Sequence, residues 1–333
     1  MAPLAVVTGA SGFVGGAVAR RLLEEGYDVR AVARSRAAAA AAEAIVVDGR
    51  AVRAVPGDVL ERGSLAEAFG GADVVAHAAG IVRTCMRDPS PMIRANVIGT
   101  RNAVGAAADA QVGRFVLTSS AATMGERQGE TGRETTPHRG WFLSAYERSK
   151  VQAEATAFAL GRDRGLEVVS VNPASVQGPG RAEGTARLLL AAARGRLPFF
   201  VPTTVSFVDV DDCALGHVLA ATRGTPGERY VLCGATMTTD EALAIVERLS
   251  DGVRRRIAVP ARVVERLADV VDAGFRLAGR DAPLCREVAV AIRHGRRYDG
   301  SKAQRDLGIA YTEPERTIRR TLDWFRSSGL LAP

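Results

Sequence analysis

Short runs of β-branched and small apolar residues alternate with helical stretches through the first half of the chain. Residues 4–8, 28–33, 53–55, 73–77, 114–118 and 167–171 read as strands, and the segment after the first run carries Val18, Leu22 and Leu23 at helical spacing. Near-continuous apolar strands joined by helices predict an α/β fold, a doubly wound parallel sheet with helices on both faces. The alanine run 37–42 predicts a surface helix without a chemical role. Beyond Pro173 the pattern is broken by Gly and Pro at 178–180, 195, 198 and 202, then resumes with a strand-like 206–210 and a helix from Asp211. The chain is therefore expected to leave the sheet and return to it.

In the C-terminal third, Val263, Val264, Leu267, Val270, Val271 and Phe275 recur at helical spacing, with Arg262, Glu265, Arg266, Asp269 and Asp272 between them. Packing over a substrate pocket is the expected use. A membrane-surface helix is the rival reading, which the interspersed acids weaken.

A chain of 333 residues, 47% hydrophobic and 24% charged, can bury a large core and is no disordered or collagen-like polymer. The net charge of +7 raises the question of a polyanionic partner. The excess is mostly diffuse arginine, clustered only at Arg254-Arg255-Arg256 and at 293–297. No nucleic-acid fold signature accompanies it, so no nucleic acid is expected. Cys85, Cys213, Cys233 and Cys285 show neither a CxxC nor a cysteine–histidine spacing. Neither a metal site nor a disulfide framework is expected, which fits a reducing cytoplasm. The start, Met1-Ala2-Pro3-Leu4, runs into a strand without a basic-then-apolar leader, and no segment reaches the ~18 apolar residues of a membrane span. A soluble cytoplasmic protein with no membrane span is the expectation.

Chemistry enters with the turn Thr8-Gly9-Ala10-Ser11-Gly12-Phe13-Val14-Gly15. Gly9-x-x-Gly12-x-x-Gly15 follows a strand and opens a helix, so the backbone can approach a phosphate while the helix start at Phe13 and Val14 stabilises its charge. Gly15 should let helix and strand pack closely. This is a Rossmann-type setting for a dinucleotide. NAD-type sites place a carboxylate at the end of the next strand, but this chain reads Ala33-Arg34-Ser35-Arg36. A guanidinium binds a 2′-phosphate that a carboxylate would repel, so Arg34 favours NADP(H) over NAD(H). An arginine merely exposed at a strand end is the bland alternative. In Gly57-Asp58-Val59 the carboxylate suits the adenine amino group and Val59 the ring face, against a simple turn aspartate. His77-Ala78-Ala79-Gly80 offers small residues beside the nucleotide, and His77, with no ligand neighbours, reads as a packed histidine rather than a metal ligand. No metal site is expected.

Tyr146 and Lys150 stand four residues apart and share a helix face. Hydride reduction of a carbonyl leaves negative charge on oxygen, which a proton must neutralise. A tyrosine is a reluctant donor near neutral pH unless a neighbouring ammonium stabilises its phenolate, so Lys150 is expected to lower the Tyr146 pKa and to hold the nicotinamide ribose. Tyr146 is then the acid in reduction and the base in oxidation. Ser120, at the end of the run 114–118, is the candidate to hydrogen-bond the substrate oxygen, with Thr118, Ser119 and Thr123 as rivals.

These residues resemble the extended short-chain dehydrogenase/reductase superfamily, also called the NAD-dependent epimerase/dehydratase family, over nearly the whole chain. Asn96-Val97-Ile98-Gly99-Thr100 looks like the family's Asn-x-x-Gly-Thr helix, whose asparagine supports the site from behind the sheet. Phe207-Val208-Asp209-Val210-Asp211-Asp212, Ser301-Lys302-Ala303 and Leu307-Gly308 are also similar to family segments. Val171-Asn172-Pro173-Ala174-Ser175-Val176-Gln177-Gly178-Pro179-Gly180 resembles the branch of dihydroflavonol 4-reductase and 3β-hydroxysteroid dehydrogenase-like proteins rather than the sugar-nucleotide epimerases.

The resemblance implies a dinucleotide domain over 1–172, rejoined by about 206–235, and a substrate-binding region over 173–205 and 236–333. It implies reversible hydride transfer between NADP(H) and a small apolar or aromatic ketone or aldehyde, with catalytic Ser120, Tyr146 and Lys150. The cofactor residues would be Gly9, Gly12, Phe13, Val14, Gly15, Arg34, Asp58, Val59, Ala78, Ala79, Tyr146, Lys150 and Pro173. Some relatives use NAD(H), and a homodimer through the helix bearing Tyr146 is implied. The alternatives are an NAD-dependent nucleotide-sugar epimerase or dehydratase, and a non-catalytic dinucleotide-sensing protein.

Overall fold

The computed structural model describes residues 2–250 and 256–332, so Arg254 and Arg255 of the basic cluster lie outside the described residues. Seven parallel strands form the main sheet: β1 (Leu4–Thr8), β2 (Asp28–Ala33), β3 (Arg53–Pro56), β4 (Val74–His77), β5 (Arg114–Thr118), β6 (Glu167–Pro173) and β7 (Arg229–Leu232). Their order across the sheet is β7-β6-β5-β4-β1-β2-β3, which reverses direction of winding between β1 and β4. Open sheets of this kind receive ligands at such a reversal, beyond the carboxyl ends of the strands.

The central strands are apolar on both faces because both are covered. Within β1, Val6 packs with Leu65, Ala103, Val104 and Ala107, the buried face of the helices Arg62–Phe69 and Gly99–Asp109. Its neighbours Ala5 and Val7 point the other way, against Val18 and Leu22 of the helix Phe13–Glu24 and Ala214 and Val218 of the helix Val210–Arg223. Period-two alternation thus distributes one strand between two cores. The alanine run forms the helix Arg36–Glu43, capped by Ser35, whose hydroxyl accepts from the Ala38 amide.

Six of the strands stand close to where the apolar runs predict them, and β7 is a seventh that the pattern did not announce. The return to the main sheet is made by β7 pairing with β6, not by the run 206–210. That run forms the strand Thr204–Asp209 of a separate three-stranded sheet, parallel to Ser175–Gln177 and antiparallel to Ala235–Thr238. Beside it, the helices Thr185–Ala193, Thr239–Leu249 and Pro314–Ser327 share a satellite core around Leu190, Val246, Leu322 and Phe325.

The cysteine expectation is overturned. Cys85 and Cys285, 200 residues apart, form a disulfide that joins the segment after β4 to the helix Arg286–His294. Spacing arithmetic misses it because the two thiols meet only through the packing of Val271, Phe275 and Val288 around them. Cys213 and Cys233 are free and buried. No helix among the described residues is long and apolar enough to cross a membrane.

Candidate active site

The turn after β1 has the shape that its glycines imply. Gly9 has φ +77°, and a Cβ there would lie 2.7 Å from the Ala79 nitrogen; a Cβ on Gly15 would overlap the Gly9 carbonyl. The Ala78 amide donates to the Thr8 carbonyl at 3.1 Å and the Ala79 amide to Thr8 Oγ1 at 3.2 Å, so the segment after β4 is pinned against the turn. The helix Phe13–Glu24 starts at Gly12 with no side-chain cap and no acid in its first turn. Its leading amides are unclaimed by side chains, and with the dipole they make an anion site. These residues fit a pyrophosphate.

At the next strand end, Arg34 is exposed, follows β2 directly and has no hydrogen-bond or ion-pair partner among the described residues. Asp58 is partly committed to its own turn, where one carboxylate oxygen accepts from the Leu60 amide at 2.9 Å. Val59 packs against Gly99, whose Cβ would lie 3.0 Å from it. Pro173 ends β6, buried at the same carboxyl edge of the sheet.

His77 is a brace. Thr8 Oγ1 lies 2.9 Å from Nδ1 and Thr100 Oγ1 3.3 Å from Nε2. The Thr100 hydroxyl donates to the Asn96 carbonyl at 2.7 Å, so Nε2–H must donate to Thr100 while Nδ1 accepts from Thr8. Burial pushes the imidazole down to about 3, with Lys150 adding to the effect, and both nitrogens are engaged. No group that could hold a metal ion occurs among the described residues.

The helix Ala145–Arg164 carries Tyr146 and Lys150. Ser144 caps it, accepting from the Glu147 amide at 3.1 Å, and Gly165 ends it with φ +67°. Ser120, two positions past the end of β5, caps a short turn at Ala121–Met124, and hydrogen bonding from its side chain lowers the Tyr146 pKa. Among the rival hydroxyls, Thr118 serves His217, that of Ser119 is buried with no hydrogen-bond partner among the described residues, and Thr123 donates to the Ser120 carbonyl at 2.8 Å. Lys150 is buried and its Nζ donates to the Thr118 carbonyl at 2.6 Å. A Cβ on Gly80 would lie 4.0 Å from that ammonium and 3.0 Å from Asn96 Oδ1. Gly80 thus links the lysine to the pinned segment Ala78–Ala79 and, through it, to Gly9.

The electrostatics correct one expectation. Lys150 is not among the groups that set the Tyr146 pKa: burial raises it, while the hydrogen bond from Ser120 and the guanidiniums of Arg296 and Arg181 pull it back. Burial lowers Lys150 to about 8, against the pull of Glu154.

A second layer holds these groups. His217 Nδ1 donates to the Cys213 carbonyl at 2.7 Å, which leaves Nε2 to accept from Thr118 Oγ1 at 2.8 Å. Burial keeps this imidazole neutral, down at about 4. Glu154 continues the Tyr146–Lys150 face by one more turn, accepting from Ser170 at 2.9 Å and from Arg229 at 3.2 Å. Asn172 bridges Glu154, Thr123 and the Ser120 carbonyl. Asn96 sits in a one-turn π-helical bulge, Arg94–Ile98, where it bonds both backbone groups of Ile81 and the Ser149 hydroxyl. Arg181 lies over the Phe13 ring at 5.8 Å, bringing the segment beyond β6 to the glycine turn. Glu154, His217, Arg181 and Arg296 were not singled out from sequence; the four-residue step from Lys150 to Glu154 was the one available signal.

A family model described as the NAD dependent epimerase/dehydratase family matches residues 5–233, from β1 through the end of β7. The chain belongs to that family. Its members are the extended short-chain dehydrogenases/reductases, which bind a nicotinamide dinucleotide, and the chain is an NAD(P)-dependent oxidoreductase of this type. It is 33% identical over 331 residues to sterol demethylase protein B of Methylococcus capsulatus, covering 98% of this chain and 99% of that protein. It is 30% identical over 259 residues to cinnamoyl-CoA reductase 1 of Petunia hybrida, covering 73% and 76%. Among solved structures, that of gox2253 superposes with a TM-score of 0.84 at 31% identity, covering 98% of this chain and 99% of that one.

Proposed function

We propose that this protein is an NADP(H)-dependent reductase of a small apolar or aromatic ketone or aldehyde, working reversibly as an alcohol dehydrogenase. The observation that carries the reading is the convergence of Tyr146, Ser120 and Lys150 at the carboxyl end of β5, joined to the glycine turn through Gly80 and Ala79. The family's dinucleotide supplies the hydride acceptor or donor when bound; Gly9, Gly12, Phe13, Val14 and Gly15 would hold its phosphates and Arg34 a 2′-phosphate. Ser120 orients the substrate oxygen, and Tyr146 Oη passes it a proton or takes one back. Lys150, fixed by the Thr118 carbonyl, would hold the nicotinamide ribose beside the phenol. Glu154, Asn172 and Thr123 hold the Ser120 turn, and neutral His217 orients Thr118.

The segments 1–172 and about 206–235 serve the cofactor in this proposal, and 173–205 with 236–333 the substrate. The two free cysteines no longer argue for a reducing compartment, since the other two are bridged; a cytoplasmic site of action rests instead on where the nicotinamide pool is kept. A homodimer through the helix Ala145–Arg164 belongs to the same proposal.

The test is absorbance loss of NADPH with a panel of ketones and aldehydes. Wild type should turn over at least one apolar or aromatic member, and Tyr146→Phe should lower kcat by about 10²–10⁴. Unchanged turnover in that variant refutes the assigned role. Interconversion of nucleotide sugars with no net change in the cofactor would replace the reading by an epimerase.

A further inference from the structure

The helix Ala261–Leu277 is apolar around about half its circumference, and the protein covers only part of that arc. Ala268 is buried, and Val271 and Phe275 pack with Val288 on the Cys85–Cys285 cluster. A second row, Val263, Leu267, Val270 and Leu277, is exposed at 53%, 54%, 70% and 91%. With about 100° of rotation per residue, all four project within about 40° of one direction. Single exposed apolar residues are ordinary, whereas a helix-long stripe of large ones marks a surface made to be covered. Ile257, on the two-residue strand just before the helix, and Phe199, its partner on the strand Phe199–Phe200, are exposed at 60% and 56%.

Charge beside the stripe is one-sided. The helix's acids are neutralised: Glu265 pairs with Arg293 at 3.0 Å, Asp269 with Arg286 at 3.2 Å and Asp272 with Arg276 at 2.9 Å. Arg262, Arg266 and Arg280 have no carboxylate partner among the described residues. The interspersed acids that weaken a membrane reading of the sequence therefore carry no free charge toward a partner. A second copy of the chain fits poorly, because a two-fold contact uses the same patch on both copies and would bring two sets of these unpaired arginines together.

We propose that this face docks on a bilayer containing anionic lipid. Val263, Leu267, Val270 and Leu277 enter the boundary between headgroups and acyl chains, and Arg262, Arg266 and Arg280 meet lipid phosphates. The docked element is coupled to the site: Glu287, on the adjoining helix Arg286–His294, accepts from the Ala145 amide at 2.8 Å, next to Tyr146. This placement suits a carbonyl substrate dissolved in lipid, a consequence that rests on the reductase reading; the docking does not.

The experiment is co-sedimentation of the full-length protein with vesicles of phosphatidylcholine alone and of phosphatidylcholine with phosphatidylglycerol. Wild type should bind the anionic vesicles, and the pair Leu267→Glu/Val270→Glu should bind at least about tenfold more weakly. The pair Arg262→Glu/Arg266→Glu should lose the preference for the anionic vesicles. Both variants should keep the wild-type circular dichroism and thermal midpoint, which reports the fold without reference to catalysis. Absence of binding to either vesicle overturns the proposal. So does equal binding by wild type and Leu267→Glu/Val270→Glu, which would leave only diffuse arginine attraction. A concentration-dependent dimer that the same variants abolish, without vesicle binding, would assign the stripe to a second copy and overturn it too.

Discussion

Replacing Lys150 by methionine should make the cofactor-free protein more stable at neutral pH while removing its turnover. Lys150 is 9% exposed, and burial lowers its pKa from 10.5 to about 8. At about 1.36 kcal/mol per tenfold change in proton affinity, the buried charge costs the folded state about 3 kcal/mol near pH 7. Methionine fills a similar volume without the charge, and loses the hydrogen bond to the Thr118 carbonyl, worth about 1 kcal/mol. The expected net gain is about 2 kcal/mol. Its pH dependence has a definite sign: below about 8 both folded and unfolded chains hold the proton and the cost is present in full. Between about 8 and 10.5 the unfolded chain holds more protons, so wild-type stability rises with pH and the variant's advantage shrinks. Urea unfolding of both proteins without cofactor, at about pH 7 and about pH 9.5, measures this directly. Turnover of Lys150→Met should fall by about 10²–10⁴. A variant less stable than wild type at neutral pH, or a difference that does not change with pH, would show that the ammonium is not desolvated in the folded chain.

Arg34→Glu should raise KM for NADPH at least about tenfold, the value of a lost charge-assisted contact, and leave KM for NADH little changed. An unaltered preference would return Arg34 to an exposed strand end without a ligand. Cys85→Ser with Cys285→Ser removes a link across 200 residues and should lower unfolding stability by about 2–5 kcal/mol. Thiol titration of the unfolded, unreduced wild type should find only Cys213 and Cys233; four reactive thiols would contradict the bridge.

The residues of β1 and β5 announce themselves because parallel strands buried on both faces need near-continuous apolar runs, and the turn at Gly9–Gly15 does so because its tight backbone leaves no room for a Cβ at Gly9 or Gly15. Tyr146 and Lys150 are legible for the same local reason, four residues on one helix. The four residues of β7 are too short to stand out, and become a strand because β6 offers them an open edge. The strand Thr204–Asp209 was visible, but its place in a second sheet depends on Ser175–Gln177 and Ala235–Thr238.

Local sequence thus determined the dinucleotide turn, the doubly wound sheet and the spacing of the phenol and the amine, because helix period, strand burial and glycine geometry all act over a few residues. Tertiary structure alone decided the bridge between Cys85 and Cys285 and the electrostatic setting of Tyr146 by Arg181 and Arg296. Those depend on burial and on contacts between residues tens to hundreds of positions apart, and such distances have no period for a sequence to display.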